Sequence, residues 1–162
     1  MKKIIVFVLM FFGFNAYCQC ESPQNRLGIR LGIIQGISYQ HYFSDHLVFE
    51  GIAAMYGWDP ALFVFGQYYT PYISSDPQLR FVFAAGTHIG YFEAYKNNQW
   101  FPAFLDQQEN YIIPGVDLQF GIDYDFTEFP VNLTLDYRPA YNLANHIGYW
   151  YGIALTVRYV FR

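Results

Sequence analysis

The fifteen residues from Gly148 to Arg162 constrain the fold of this chain more than any other segment. Tyr149, Tyr151, Ile153, Leu155, Val157, Tyr159 and Phe161 alternate there with Gly148, Trp150, Gly152, Ala154, Thr156, Arg158, Val160 and Arg162. Successive side chains of a strand point to opposite faces, so one face of this strand is wholly apolar. The other is small or polar and carries both charges. Large apolar residues outside and small polar ones inside are the pattern of a strand in a membrane barrel.

The amino terminus offers a route to a membrane. Lys2 and Lys3 precede an apolar run from Ile4 to Phe14, followed by Asn15-Ala16-Tyr17-Cys18-Gln19. The run is 11 residues long, against about 20 for a spanning helix, and reads as a secretory signal peptide. Cleavage after Cys18 places the small residues Ala16 and Cys18 at the two positions a signal peptidase reads. Residues 1–18 are thus assigned to the signal and 19–162 to one domain. Lipidation of Cys18 or Cys20 is the alternative, although Tyr17 and Gln19 are poor residues to precede a lipidated cysteine.

The remaining 144 residues keep a single cysteine, Cys20, which rules out an internal disulfide. Loss of Lys2 and Lys3 takes the net charge from −4 to −6, which argues against nucleic acid as a partner. Charged residues make up 14% of the chain, well below the roughly 25% of an ordinary soluble domain. No stretch after Phe14 is apolar for anything near 18 residues. A chain too poor in charge for a water-facing sheet, and without a spanning helix, is expected to close a barrel in the bilayer.

The alternation recurs upstream. Ile112, Pro114, Val116, Leu118, Phe120, Ile122, Tyr124 and Phe126 share one face, opposite Gly115, Asp117, Gln119, Gly121, Asp123 and Asp125. After Thr127-Glu128-Phe129-Pro130 come Val131, Leu133, Leu135 and Tyr137, opposite Asn132, Thr134, Asp136 and Arg138. These two runs predict a hairpin. Leu79 to Glu93 alternates likewise and turns Arg80 and His88 to the polar face. Leu47 to Gly57 and Leu62 to Ile73 are noisier, and are read as strands from their β-branched and aromatic content and from the breaks Trp58-Asp59-Pro60 and Ser74 to Pro77. Asp59 is accordingly expected in an exposed loop. Barrels of one chain normally have an even strand number, which divides Leu27 to Phe43 near Ile34-Gln35-Gly36 and gives eight. The fold class expected is an all-β, eight-stranded antiparallel up-and-down transmembrane barrel. Its short turns face the periplasm, and Lys96 to Asn110 and Asn142 to Ile147 form outer loops.

The order and spacing of several motifs resemble the small outer-membrane barrels related to OmpX and the membrane domain of OmpA, in particular the porin-like forms of Bacteroidota. They are Leu27-Gly28-Ile29-Arg30-Leu31-Gly32 with Gly36-Ile37-Ser38-Tyr39, Gly121-Ile122-Asp123-Tyr124-Asp125-Phe126, Leu133 to Pro139, and Leu155-Thr156-Val157-Arg158-Tyr159-Val160-Phe161. The resemblance implies a Gram-negative outer-membrane location, contact with outer-membrane lipid, and assembly by the barrel-insertion machinery. That machinery reads a terminal strand ending in an aromatic residue, here Tyr159 and Phe161, with Arg162 following. Adhesins, stabilisers and narrow pores all occur among such proteins.

The candidate site is the inward polar set of Arg30, Glu50, Arg80, His88, Asp117, Gln119, Asp123, Asp136, Arg138 and Arg158. Eight strands enclose just enough room for their own side chains, so the set reads as an ion-paired plug, with a narrow ion path as the alternative. Asp136 is expected to meet Arg158, or a neighbour of it, on the adjacent strand. An acyl-modifying enzyme acting on outer-membrane lipid A is a remote third reading, because no nucleophile shares a rim face with His88. His41, His46, His88 and His146 lack metal-ligand spacing, and neither metal nor cofactor is expected. The many aromatics suit interfacial girdles. Trp100, Phe101, Phe104 and Leu105 form a candidate contact patch in an outer loop. The sequon Asn132-Leu133-Thr134 lies within a strand and is read as chance.

Overall fold

A computed structural model describes residues 25–56, 59–73, 75–92, 111–144 and 146–161. The expected signal peptide, Cys20, the contact patch Trp100, Phe101, Phe104 and Leu105, and Arg162 all lie outside the described residues. Eight strands follow one another: β1 (Asn25–Gly32), β2 (Gln35–Tyr42), β3 (Leu47–Tyr56), β4 (Asp59–Tyr69), β5 (Leu79–Phe92), β6 (Tyr111–Asp125), β7 (Val131–Asn142) and β8 (Gly148–Phe161). Each pairs antiparallel with the next, and β1 pairs with β8 from Asn25↔Phe161 to Gly32↔Ala154, which closes the sheet. Closure leaves no strand edge unpaired. One end of the barrel, here the terminal end, carries Asn25, Phe161 and the turns 43–46, 70–73 and 126–130; the other, the loop end, carries 33–34, 143–144 and 146–147.

The two faces of the wall differ in chemistry. Every Asp, Glu and Arg within the strands takes the inward register. The outward register is mostly apolar, from Leu27, Ile29 and Leu31 in β1 to Ile153, Leu155 and Val157 in β8, with Gln35, His41 and Thr87 among the exceptions. Aliphatic side chains share the middle of this outer band with Tyr39, Phe83, Phe120 and Tyr137. Phe43, Tyr68, Phe81, Phe126, Tyr159 and Phe161 collect towards the terminal end, and Tyr91, Tyr141 and Trp150 towards the loop end.

Two readings of the sequence are corrected. Asp59 does not stand in an exposed loop: it opens β4, pairs with Tyr56 and is only 4% exposed. The break is confined to residues 57–58, and β4 ends at Tyr69 rather than Ile73. Pro60, which suggested a loop, sits outward and pairs with Met55, while the β4–β5 ladder begins only at Ala61↔Gly90. A proline is tolerated where no ladder hydrogen bond is asked of it.

The alternation of β8 is also interrupted. The β7–β8 register runs Arg138↔Gly152, then Ala140↔Tyr149, so two residues of β8 face Pro139 alone. This bulge reverses the parity beyond it. Trp150, expected inside, is 65% exposed on the outer wall, and Tyr149, expected outside, is half-buried opposite the inward Ala140.

Candidate functional site in the barrel lumen

The inward side chains stack in layers. In the layer at the terminal end, Arg80 Nε donates to Asp123 Oδ2 at 3.0 Å, and Arg80 Nη2 lies 3.1 Å from Asp125. Arg26 reaches the same two carboxylates at 3.5 and 3.0 Å. Tyrosines close around these cations: Arg80 stands 4.2 Å from the Tyr69 ring centroid and donates to the Tyr42 hydroxyl at 2.7 Å, while Arg26 lies 4.5 Å over Tyr42. Thr134 donates to the second oxygen of Asp123 at 2.7 Å. Charge-assisted bonds of this kind offset the desolvation of both partners only when further hydrogen bonds satisfy the rest of each group, and here they do so for Asp123.

The middle layer centres on Glu50, which is fully buried. Arg158 donates to its Oε1 through Nη2. Ser38 donates to the same oxygen at 2.5 Å, and Gln67 to Oε2 at 2.5 Å. The amides extend the network sideways: Gln40 donates to Gln67 and to the Tyr69 hydroxyl, both at 2.9 Å, and Gln67 donates to Gln119 at 3.1 Å. Arg158 also donates to Thr134 at 2.6 Å, which ties this layer to the one beneath it. The chain of side chains therefore crosses the lumen from β8 through β2, β3 and β4 to β6.

Next towards the loop end, Arg30 grips Asp136 with both terminal nitrogens, at 2.6 and 2.7 Å. This bidentate pair joins β1 to β7 across β8. The expected partner of Asp136 was Arg158 on the adjacent strand, and the register explains the difference. The residue of β8 directly beside Asp136 is Ala154, whereas Arg158 lies beside Asn132. Alanine cannot fill the gap, so Arg30 reaches over it and also touches Thr156 at 3.3 Å. Arg138 stacks on aromatic faces, 4.5 Å from Phe65 and 5.0 Å from Phe63. The layer nearest the loop end holds His88, whose Nδ1 faces Asp117 at 2.7 Å and whose Nε2 faces the Asn142 side-chain oxygen at 2.9 Å.

All the residues of the inward polar set thus lie inside. Arg30, Glu50, Arg80, Asp117, Gln119, Asp123, Asp136, Arg138 and Arg158 are buried and His88 is nearly so. Sequence reasoning missed Arg26, Ser38, Gln40, Gln67, Tyr69 and Asn142, which complete the network. The inward parity that pointed to Glu50 also marks Gln67 and Tyr69, but the noise in that stretch hid it. Two glycines give the lumen room for rings: a Cβ on Gly115 would stand 2.1 Å from His88, and one on Gly86 2.5 Å from Phe65. Among the described residues no group of three or more His, Cys, Asp and Glu is arranged to hold a metal ion.

No family model matches this chain, and no curated protein sequence does. Its fold is similar to that of the N-terminal β-barrel domain of Pseudomonas aeruginosa OprF. The TM-score is 0.63 at 18% sequence identity, over 86% of this chain and 96% of that one. At that identity the likeness shows the fold alone, a closed eight-stranded antiparallel barrel.

Proposed function

We propose that this chain is an integral outer-membrane barrel, exported by its amino-terminal signal, with a non-catalytic structural or surface-interaction role. The observation that carries the reading is the inversion of the wall: every charged residue of the strands is turned into the lumen while the outer band is mostly apolar, with aromatic side chains gathered towards both ends. A barrel in water would reverse that distribution; a bilayer demands it. The terminal end then faces the periplasm and the loop end the outside, and the fold shared with the OprF domain supports the placement. Tyr159 and Phe161 point outward at the end of β8, in position to be read during assembly.

The lumen supports the non-catalytic role. Its side chains bond to one another in layers rather than lining a passage. His88 and Asp117 have the spacing of a base and its orienting acid, but Asn142 stands at Nε2, where a nucleophile's hydroxyl would have to be. Membrane fractionation with a heat-modifiable gel shift tests the placement: the expected outcome is a detergent-extracted band whose mobility changes on boiling. Recovery as a soluble periplasmic monomer would overturn it.

A further inference from the structure

Arg138 differs from the other lumenal arginines. Its side chain is buried, 3% exposed, and among the described residues no group hydrogen-bonds its Nε, Nη1 or Nη2. The carboxylate nearest along its own strand, Asp136, is held by both terminal nitrogens of Arg30. Its neighbours on β8 are Gly152, directly opposite, Ala154 and, across the bulge, Tyr149; Gly152 and Ala154 offer no side-chain acceptor. The Arg138 guanidinium carbon lies over the Phe65 and Phe63 rings, 4.5 and 5.0 Å from their centroids, and neither ring offers a lone-pair acceptor. On the other side, the β6–β7 pairs Asp117↔Ala140 and Phe120↔Tyr137 bracket Gln119 beside Arg138, and Gln119 Nε2 is likewise buried without an acceptor.

At this level one arginine is left without a carboxylate bonded to it. Arg30, Arg138 and Arg158 stand against Asp136 and Glu50, and both carboxylates are already bound by Arg30 and Arg158. The next carboxylate, Asp117, turns one oxygen to His88. A buried guanidinium whose N–H groups go unbonded is strongly disfavoured, so donors of this kind call for a further acceptor. We propose that the lumen binds a small monovalent anion of the chloride class against the edge of Arg138, with Gln119 Nε2 as second donor. A single unbonded guanidinium sets the valence, and an eight-stranded lumen crowded by Phe63 and Phe65 sets the size. The site is independent of whether the barrel conducts. Water bridging Arg138 to the free oxygen of Asp117 is the competing occupant.

The test uses the full barrel in detergent. Crystals soaked in sodium bromide should show an anomalous peak within hydrogen-bond distance of Arg138. The midpoint of heat modification should rise and saturate as sodium chloride replaces sodium gluconate at constant ionic strength, as expected for a ligand that binds only the folded state. Arg138→Met and Arg138→Gln should lose both the peak and the chloride dependence. Should neither variant fold, Gln119→Leu keeps the cation and should weaken the apparent chloride affinity several-fold. A peak only elsewhere, a water in its place, or the same chloride response in the wild type and the variants would overturn the proposal.

Discussion

At the scale of single residues, Asp136 is the most exacting position, because its removal leaves Arg30 buried beside Thr156 with no carboxylate. Deleting one partner of a buried pair typically costs about 3–5 kcal/mol. Asp136→Ala is therefore expected to lower the heat-modification midpoint clearly, whereas Glu128→Ala, in the exposed turn before β7, should leave it almost unchanged. Replacing both partners, as Arg30→Met with Asp136→Leu, should recover much of the loss, since no stranded charge remains. Gly115→Ala is a second case. Its Cβ would fall on the His88 ring, and overpacking of that kind costs about 1–3 kcal/mol, again read as a lower midpoint. Inwardness was legible for these residues, because alternation fixes it locally. Pairing was not: Arg30 and Asp136 are 106 positions apart and meet over an intervening strand, a contact set by side-chain length at Ala154 and Thr156 that no local pattern encodes.

At the scale of elements, the hairpins were legible wherever apolar outward runs were long, as in β6 and β8. They blurred where the outward register holds small residues, such as Gly51 and Ala53 in β3 and Gly66 in β4, which carry little hydrophobic signal. Proline misled in two different ways. In β4 it imitated a loop while occupying a position without a ladder bond. In β7, Pro139 stands at the bulge that reverses the parity of β8, so the regular alternation of the sequence predicts the wrong side for Tyr149 and Trp150. The outer band gives a prediction proper to this scale. Leu118 is half-exposed midway along β6 and Phe126 follows the strand's terminal end. Arginine at mid-bilayer costs about 2–4 kcal/mol and near an interface about 0–1 kcal/mol. Leu118→Arg should therefore destabilise the barrel strongly, and Phe126→Arg little, in equilibrium refolding into phospholipid vesicles. Equal penalties would contradict a bilayer centred on β6.

At the scale of the whole molecule, the polar interior and the apolar exterior have one cause. A closed sheet of eight strands satisfies its own backbone and presents two surfaces, and bilayer outside leaves the lumen as the only place for charge. That lumen is narrow enough for the side chains of opposite walls to meet, so the charges bind one another across the axis. The Glu50 layer spans it from β8 to β6 with every carboxylate oxygen engaged. Wild-type protein in planar bilayers is accordingly expected to give no steady channel. Glu50→Ala with Arg158→Ala removes both charges of that layer at once, leaving neither ion stranded, and opens space that water fills. This double variant should retain its heat-modifiable shift and give small, reproducible current steps, because the network that crosses the lumen from β8 to β6 is then broken at its two charged members. Steady channels from the wild type would show that the layers do not obstruct the lumen, whereas a silent double variant would place the main barrier in the Arg26–Arg80 layer, where two arginines and two aspartates crowd the terminal end beneath Tyr42 and Tyr69.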